Sequence, residues 1–398
     1  MKTHTFIFIG LSFFINLANA QNFQISAIVV DKITRHPLQA VNIYNESNSS
    51  LSNDEGRFVF VSDKNEINLN LMGYNPIKTT FNGLQNQDSI FMEIKAIALD
   101  EVIVSNTESF VKKVYENLTK NYVTSSYTNN FFIRSVLKKE NEIVKLQDLS
   151  GKKYNSTMIK TTPQGKTDKS GIEILSMRKI GVFDKKDNVD FKLPDFDELF
   201  DMPIFLDTKY VDLTEENTED ENYCKINFIA KNKDVLNQKV NGYVIINKKD
   251  YAITQYFISY YDDSDNCPYK KTLLGRHQYR TRKYQKTLHF SKNETVNKYY
   301  LNNDKLDCQL EILADKKIEK TFYYDLSINY FVTKNFTGET ANANFPMDKD
   351  IFKAKFSYSD DFWKNQNQLP LTSELKSFID KANIDKENKK EFEVTGNF

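Results

Sequence analysis

Cysteine is scarce in this chain, with only Cys224, Cys267 and Cys308 in 398 residues. They form no C-x-x-C pair, and no cysteine or histidine stands at ligand spacing, so neither a zinc site nor a redox motif is indicated. An odd number leaves two states open. In an oxidising compartment one pair bridges and the third stays free, or all three are ordinary buried thiols. Histidine is equally sparse: beyond the first segment only His36, His277 and His289 remain. H-E-x-x-H and the G-x-S-x-G nucleophile elbow are both missing. Gly165-Lys166-Thr167 has the form of a phosphate-loop tail, but Lys160 stands where the upstream glycine is required. Charge of either sign is not in excess, with 54 Lys plus Arg against 54 Asp plus Glu, so no overall field draws the chain to nucleic acid or an anionic surface. After the first twenty residues no run approaches the ~18 apolar residues of a membrane-crossing helix. No catalytic, cofactor-binding or metal-ligating residue is assigned, and the expectation is a protein that is not an enzyme, with a hydrolase as the alternative that a cleft gathering a histidine, a carboxylate and a nucleophile would revive.

What is abundant is aromatic and β-forming. Aromatics are 13% of the chain, enough to argue against disorder, because their burial offsets chain entropy. The length suits two or three domains. Residues 1–20 read as a secretory signal: Lys2 and His4, the apolar run Phe6 to Leu17, then Ala18-Asn19-Ala20 before Gln21. The mature chain is therefore expected to be exported, in the periplasm or associated with the outer membrane.

From Phe23 to Val104 the chain reads as a small all-β module. Phe23, Ile25, Ala27 and Val29 alternate at strand period, as do Val41 with Ile43, Phe58 with Phe60, Ile67 with Leu69 and Leu71, and Ile90 with Met92 and Ile94. Pro37 fixes one turn, and Gly56 supplies a positive φ in Asn53-Asp54-Glu55-Gly56. About seven short strands with regular turns point to a β-sandwich. Separated pieces occur in order: Val29-x-Asp31 with Thr34, Pro37-Leu38 and Val41-Asn42-Ile43; Ser52 to Phe58; Met72-Gly73-Tyr74; and Leu99 to Val104. Together they resemble the carboxypeptidase-regulatory-like domain, with Ala27 where glycine is usual. That resemblance implies a transthyretin-like sandwich of exported Gram-negative envelope proteins. It implies no peptidase, since H-x-x-E is absent and Pro-Leu-Gln follows His36.

Thr107 to Tyr122 has helical spacing, with Val111, Val114, Leu118 and Tyr122 on one face. Strands are expected at Phe131–Leu137, Ile143–Leu149, Cys224–Ala230, Val240–Ile246 with Tyr251–Tyr261, Lys283–Ser291, Thr295–Leu301, Gln309–Leu313 and Thr321–Tyr330. A short helix carries Leu375, Phe378, Ile379 and Ala382. Successive hairpins imply an antiparallel sheet. Asn121-Tyr122 followed by Phe131-Phe132-Ile133-Arg134-Ser135, the hairpin Gly242 to Ile253, and Asp360 to Leu371 resemble exported proteins of unknown function carrying the same first module. The hairpin is also similar in type to the curved sheets of periplasmic lipoprotein-carrier proteins, which implies a half-open barrel over an apolar cavity.

Four stretches remain. The basic run Lys270, Lys271, Arg276, Arg280, Arg282, Lys283 and Lys286 is expected to be a solvated strand face. Asp187 to Asp207, with Phe191, Phe196, Phe200 and Phe205, is read as a long surface connection held by its aromatics, a lid over a cavity or a partner-docking loop. Asp262 to Asn266 and Glu215 to Glu221 read as hairpin tip and solvated loop. Trp363 is expected to anchor a core. The whole is mainly β: a signal segment at 1–20, a transthyretin-like sandwich at 21–104, a linker helix at 105–125, and a larger curved, half-barrel-like antiparallel sheet with few helices at 126–398. The expected partners are a lipid or other hydrophobic ligand in the second body, or an outer-membrane assembly docked through the first.

Overall fold

The computed structural model describes residues 22–95, 107–158, 170–182, 194–200, 206–218, 220–231, 239–261, 269–271, 277–315, 320–387 and 392–398. The signal segment, the Leu99–Val104 piece, Gly165–Thr167, Asp262–Asn266 and Cys267 lie outside them.

The first seven strands are β1 (Phe23–Asp31), β2 (Asn42–Tyr44), β3 (Ser49–Leu51), β4 (Arg57–Ser62), β5 (Glu66–Asn70), β6 (Ile77–Thr80) and β7 (Ser89–Met92), with a short helix α1 (Phe81–Leu84) before the last. They make two sheets, ordered β4-β1-β7 and β3-β2-β5-β6. The alternating apolar residues Val29, Ile43, Phe58, Phe60, Ile67, Leu69 and Met92 fill the space between the sheets and are buried. The separated sequence pieces meet for structural reasons. Asp31 Oδ1 accepts from the backbone N–H of Ile33 at 2.8 Å and of Thr34 at 2.6 Å. Tyr74 donates its hydroxyl to Asp31 Oδ2 at 3.0 Å. Gly56 has φ +71°, and a Cβ there would stand 2.5 Å from the Val29 carbonyl oxygen, so any other residue strains both the turn and the strand beside it.

Helix α2 (Thr107–Asn121) leads to a second body. Its strands are β8 (Tyr127–Lys139), β9 (Glu142–Asn155), β10 (Gly171–Val182), β11 (Val211–Asn217), β12 (Tyr223–Ala230), β13 (Lys239–Asn247), β14 (Ile253–Tyr261), β15 (Lys270–Lys271), β16 (Gln278–Asn293), β17 (Lys298–Asp315), β18 (Lys320–Lys334) and β19 (Phe392–Thr395). The helices are α3 (Phe196–Phe200), α4 (Asp360–Lys364) and α5 (Ser373–Glu387). The strands form one antiparallel 12-stranded sheet, ordered β11-β12-β13-β14-β16-β17-β18-β8-β9-β10-β19, with β15 beside β16. Its terminal strands, β11 and β19, do not pair, so the sheet stays open. The protein is thus mainly β with few helices, as its alternation requires.

One face carries the large core, including Ile226, Phe228, Tyr256, Leu288, Leu306, Ile328, Tyr330, Phe131 and Leu149. The other face carries smaller clusters under α4 and α5. Phe132, Phe331, Trp363 and Leu369 pack there with Leu51 of the first module. Trp363 is the expected anchor, 3% exposed. The first module is also hydrogen-bonded to this face. The Asn367 carboxamide pairs with both backbone groups of Val61, at 2.7 and 3.0 Å, and Asn53 Nδ2 donates to the Pro370 carbonyl at 3.2 Å.

Three expectations are corrected. Thr295–Leu301 and Gln309–Leu313 are not separate strands; Lys298–Leu301 and Gln309–Leu313 fall on the single strand β17, and Thr295–Asn297 belong to the turn before it. The polar run Asn302-Asn303-Asp304, which reads as a break, is buried within that strand. Glu215 and Glu216 belong to edge strand β11, not to a loop. The basic run is not uniformly solvated: Arg280 and Lys286 are buried, and Arg280 forms an ion pair with Glu311 at 2.9 Å.

Candidate functional site

A cavity of about 940 Å³ lies on the core-bearing face of the large sheet. Its floor crosses six adjacent strands. Ile253 and Tyr256 come from β14, Leu288 and Phe290 from β16, Leu301 from β17, Tyr330 from β18, Tyr127 and Asn129 from β8, and Lys153 and Asn155 from β9. Register explains the alignment. Tyr256 stands opposite Leu288, Leu288 opposite Asp304, Asp304 opposite Tyr330, and Asn129 opposite Lys153, and side chains directly opposite share a face.

The roof is made by α2, through Tyr115 and Leu118, by α3, through Asp197, Glu198 and Phe200, and by Met347 and Asp348. The C-terminal end of α2 is pinned. Lys298 Nζ donates to the Thr119 and Lys120 carbonyls at 3.0 and 2.6 Å, which suits the negative end of the helix dipole. Asn121 Nδ2 donates to the Asp250 carbonyl at 2.7 Å and Tyr122 Oη to the Ile253 carbonyl at 2.7 Å. Helix α3 is held by Phe196 and Leu199, both fully buried. The described part of the Asp187–Asp207 stretch therefore roofs a cavity, as its reading as a lid expects and its reading as a surface connection does not.

The lining is mostly aliphatic and aromatic, but its polarity is uneven. Lys153 is buried, held by Asn155 Oδ1 and lying with its ammonium 4.1 Å from the centre of the Phe200 ring. The three lining carboxylates, Asp197, Glu198 and Asp348, are all exposed.

On the same face, flanked by Leu288 and Tyr330, lies Asp304, 1% exposed. Its Oδ2 is 3.6 Å from Lys286 Nζ, an ion pair and not a hydrogen bond. Neither carboxyl oxygen has a hydrogen-bond partner among the described residues. Burial outweighs the pull of Lys286 and pushes the carboxyl up to about 7. Lys286 also donates to the Glu198 carbonyl at 3.0 Å, tying the floor to α3.

The residues weighed as chemical candidates are dispersed. His36 lies in a turn. His289 is buried on β16 with Nδ1 2.8 Å from Asn303 Oδ1, and burial lowers its pKa. Cys224 and Cys308 are free thiols, and burial pushes each up to about 12, which leaves both unreactive as nucleophiles at neutral pH. No helix among the described residues is long and apolar enough to cross a membrane. The sequence reading covered Asp197 and Glu198 within Asp187–Asp207 but did not single out Asn129, Lys153 or Asn155. The only available cue was Lys153 and Asn155 standing two apart on one strand face.

No protein-family model matches the chain, and no curated protein does. Among solved structures, similarity is found to a LolA superfamily protein from Nitrosomonas europaea, at 12% identity over 61% of this chain and 96% of that one, with a TM-score of 0.25. An outer membrane lipoprotein-sorting protein domain from Vibrio parahaemolyticus matches at 11% identity over 59% and 95%, with a TM-score of 0.26. MucB of Pseudomonas aeruginosa, in complex with MucA, matches at 6% over 57% and 94%, with a TM-score of 0.18. Scores this far below 0.5 leave the fold to be read from the chain's own geometry.

Proposed function

We propose that this is an exported, non-enzymatic protein of the Gram-negative envelope that holds a hydrophobic ligand, of lipid type, in the cavity beneath α2. The carrying observation is the 940 Å³ space itself, lined by Leu118, Ile253, Tyr256, Leu288, Phe290 and Leu301. A folded core is packed to crystal-like density, and voids of this size with apolar walls are where small ligands bind. In this reading residues 21–104 form a carboxypeptidase-regulatory-like sandwich, 105–125 the linker helix that roofs the site, and 126–398 the binding body.

The test is binding of the neutral fluorescent probe phenylnaphthylamine to the full mature chain, alongside native mass spectrometry for co-purified lipid. Leu118→Trp places bulk into the cavity from the partly buried side of α2. It should weaken probe binding about tenfold, ~1.4 kcal/mol, with an unchanged circular dichroism spectrum. A wild-type chain that binds no probe and carries no lipid sinks the proposal.

A second reading, docking through the first module onto an outer-membrane assembly, is favoured by one observation. Ile33, Phe91 and Ile94 are 79%, 44% and 46% exposed on that module. Ile33→Asp should then release the protein from outer-membrane fractions while leaving probe binding intact; unchanged fractionation would count against docking there.

A further inference from the structure

The cavity is polar at one end and apolar at the other. The floor crosses the strands in the order β14-β16-β17-β18-β8-β9, and five strand-to-strand steps span roughly 24 Å at ~4.8 Å each. At the β14–β17 end the floor is Ile253, Tyr256, Leu288, Phe290 and Leu301. At the β8–β9 end it is Asn129, Lys153 and Asn155, which are 2%, 8% and 4% exposed. Asn129 faces Lys153 across the strands, and Tyr127 faces Asn155. Polar groups in such an interior need defined partners, and these have fixed positions. Asn129 Oδ1 accepts from the Phe336 N–H at 3.1 Å, and the Lys153 ammonium lies over Phe200 and against Asn155.

The sign of the charge follows depth. Among the described residues, the charge buried on the cavity wall is the Lys153 ammonium, whereas Asp197, Glu198 and Asp348 are exposed. A charge in the low-dielectric interior acts far more strongly on a bound group than one screened by water. We infer that the ligand is an anionic amphiphile, lying along the floor with its tail toward β14 and its acidic oxygens beside Lys153. This inference rests on the cavity's being a ligand site and adds to it the class and orientation of the ligand.

The experiment compares a fluorescent polyene fatty acid with its methyl ester on the full mature chain. The two share one tail and differ in the anionic oxygen. The wild type should bind the acid at least about tenfold more tightly than the ester. Lys153→Met keeps the aliphatic stem and should bring acid binding down to that of the ester, leaving the ester unchanged. Lys153→Arg should restore the preference. If the wild type binds acid and ester alike and Lys153→Met changes neither, the head-group assignment is overturned while the cavity stands as a binding site. If the wild type binds neither probe, the cavity reading falls and this inference falls with it.

Discussion

Replacing Asp148 by asparagine should destabilise the fold by about 3–5 kcal/mol, the cost of leaving buried charge uncompensated. Register puts Arg134 of β8, Asp148 of β9 and Arg178 of β10 directly opposite one another. All three are buried, with Asp148 fully so. Arg134 donates Nε and Nη2 to the two carboxylate oxygens at 2.8 and 2.7 Å, and Arg178 donates Nε and Nη2 to Oδ2 at 2.9 and 2.7 Å. Burial alone would raise the Asp148 pKa. The two guanidinium groups outweigh it and hold the carboxyl below its usual 3.8. That contribution to stability is complete above the unfolded value and is lost as pH falls through the folded one. Asparagine leaves two guanidinium groups facing each other across one neutral side chain.

The consequence extends beyond the sheet. Arg134 Nη1 donates to the Pro370 carbonyl at 2.9 Å, the oxygen that also receives Asn53 of the first module. The Arg178 guanidinium lies 4.5 Å from the centre of the Trp363 ring. Trp363 is the only tryptophan, so its emission reports on this locus alone. Asp148→Asn should lower the denaturation midpoint and shift that emission to the red. Arg134→Met with Asp148→Leu and Arg178→Met should lose much less, because a packed apolar row has no charge to desolvate. A loss below about 1 kcal/mol for Asp148→Asn would refute this account of the triad.

The fold was legible where one physical rule acted alone. Strict alternation in Cys224–Ala230 and Thr321–Tyr330 set both strands and their buried faces, and Val111, Val114, Leu118 and Tyr122 announced the roof helix. It was illegible where a buried polar side chain broke the pattern. Asn302-Asn303-Asp304 looks like a turn because such residues usually seek water or their own backbone. Cross-strand pairing to β16 and β18 overrode that preference. Lys286 and Arg280 read as solvated for the same reason: burial of a cation depends on a distant partner, Asp304 or Glu311, which local sequence does not reveal. The cavity was foreseen through the resemblance of one hairpin to curved carrier sheets and through the reading of Asp187–Asp207 as a lid. Its polar end is an alignment of β8 with β9, and no periodicity within either strand encodes it.

Asp304 should make the wild type lose stability as pH rises from about 4 to about 7, opposite in sign to Asp148. The folded-state carboxyl titrates near 7, while an unfolded aspartate titrates near ~3.9. Between these values the folded chain holds a proton that the unfolded chain has released, so the free energy of unfolding falls with increasing pH. The full difference is on the order of 4 kcal/mol. Asp304→Asn removes the titration and keeps the shape. Lys286 remains bonded to the Glu198 carbonyl in both proteins, so the change in its surroundings enters mainly as an offset that does not vary with pH. The contributions of Asp148 and His289 are common to both and cancel. The stability of Asp304→Asn relative to wild type should therefore climb steadily between about pH 4 and pH 8, measured by urea denaturation at each pH. Parallel profiles would mean that the carboxylate is already ionised in the fold at acid pH, with Lys286 compensating its burial in full.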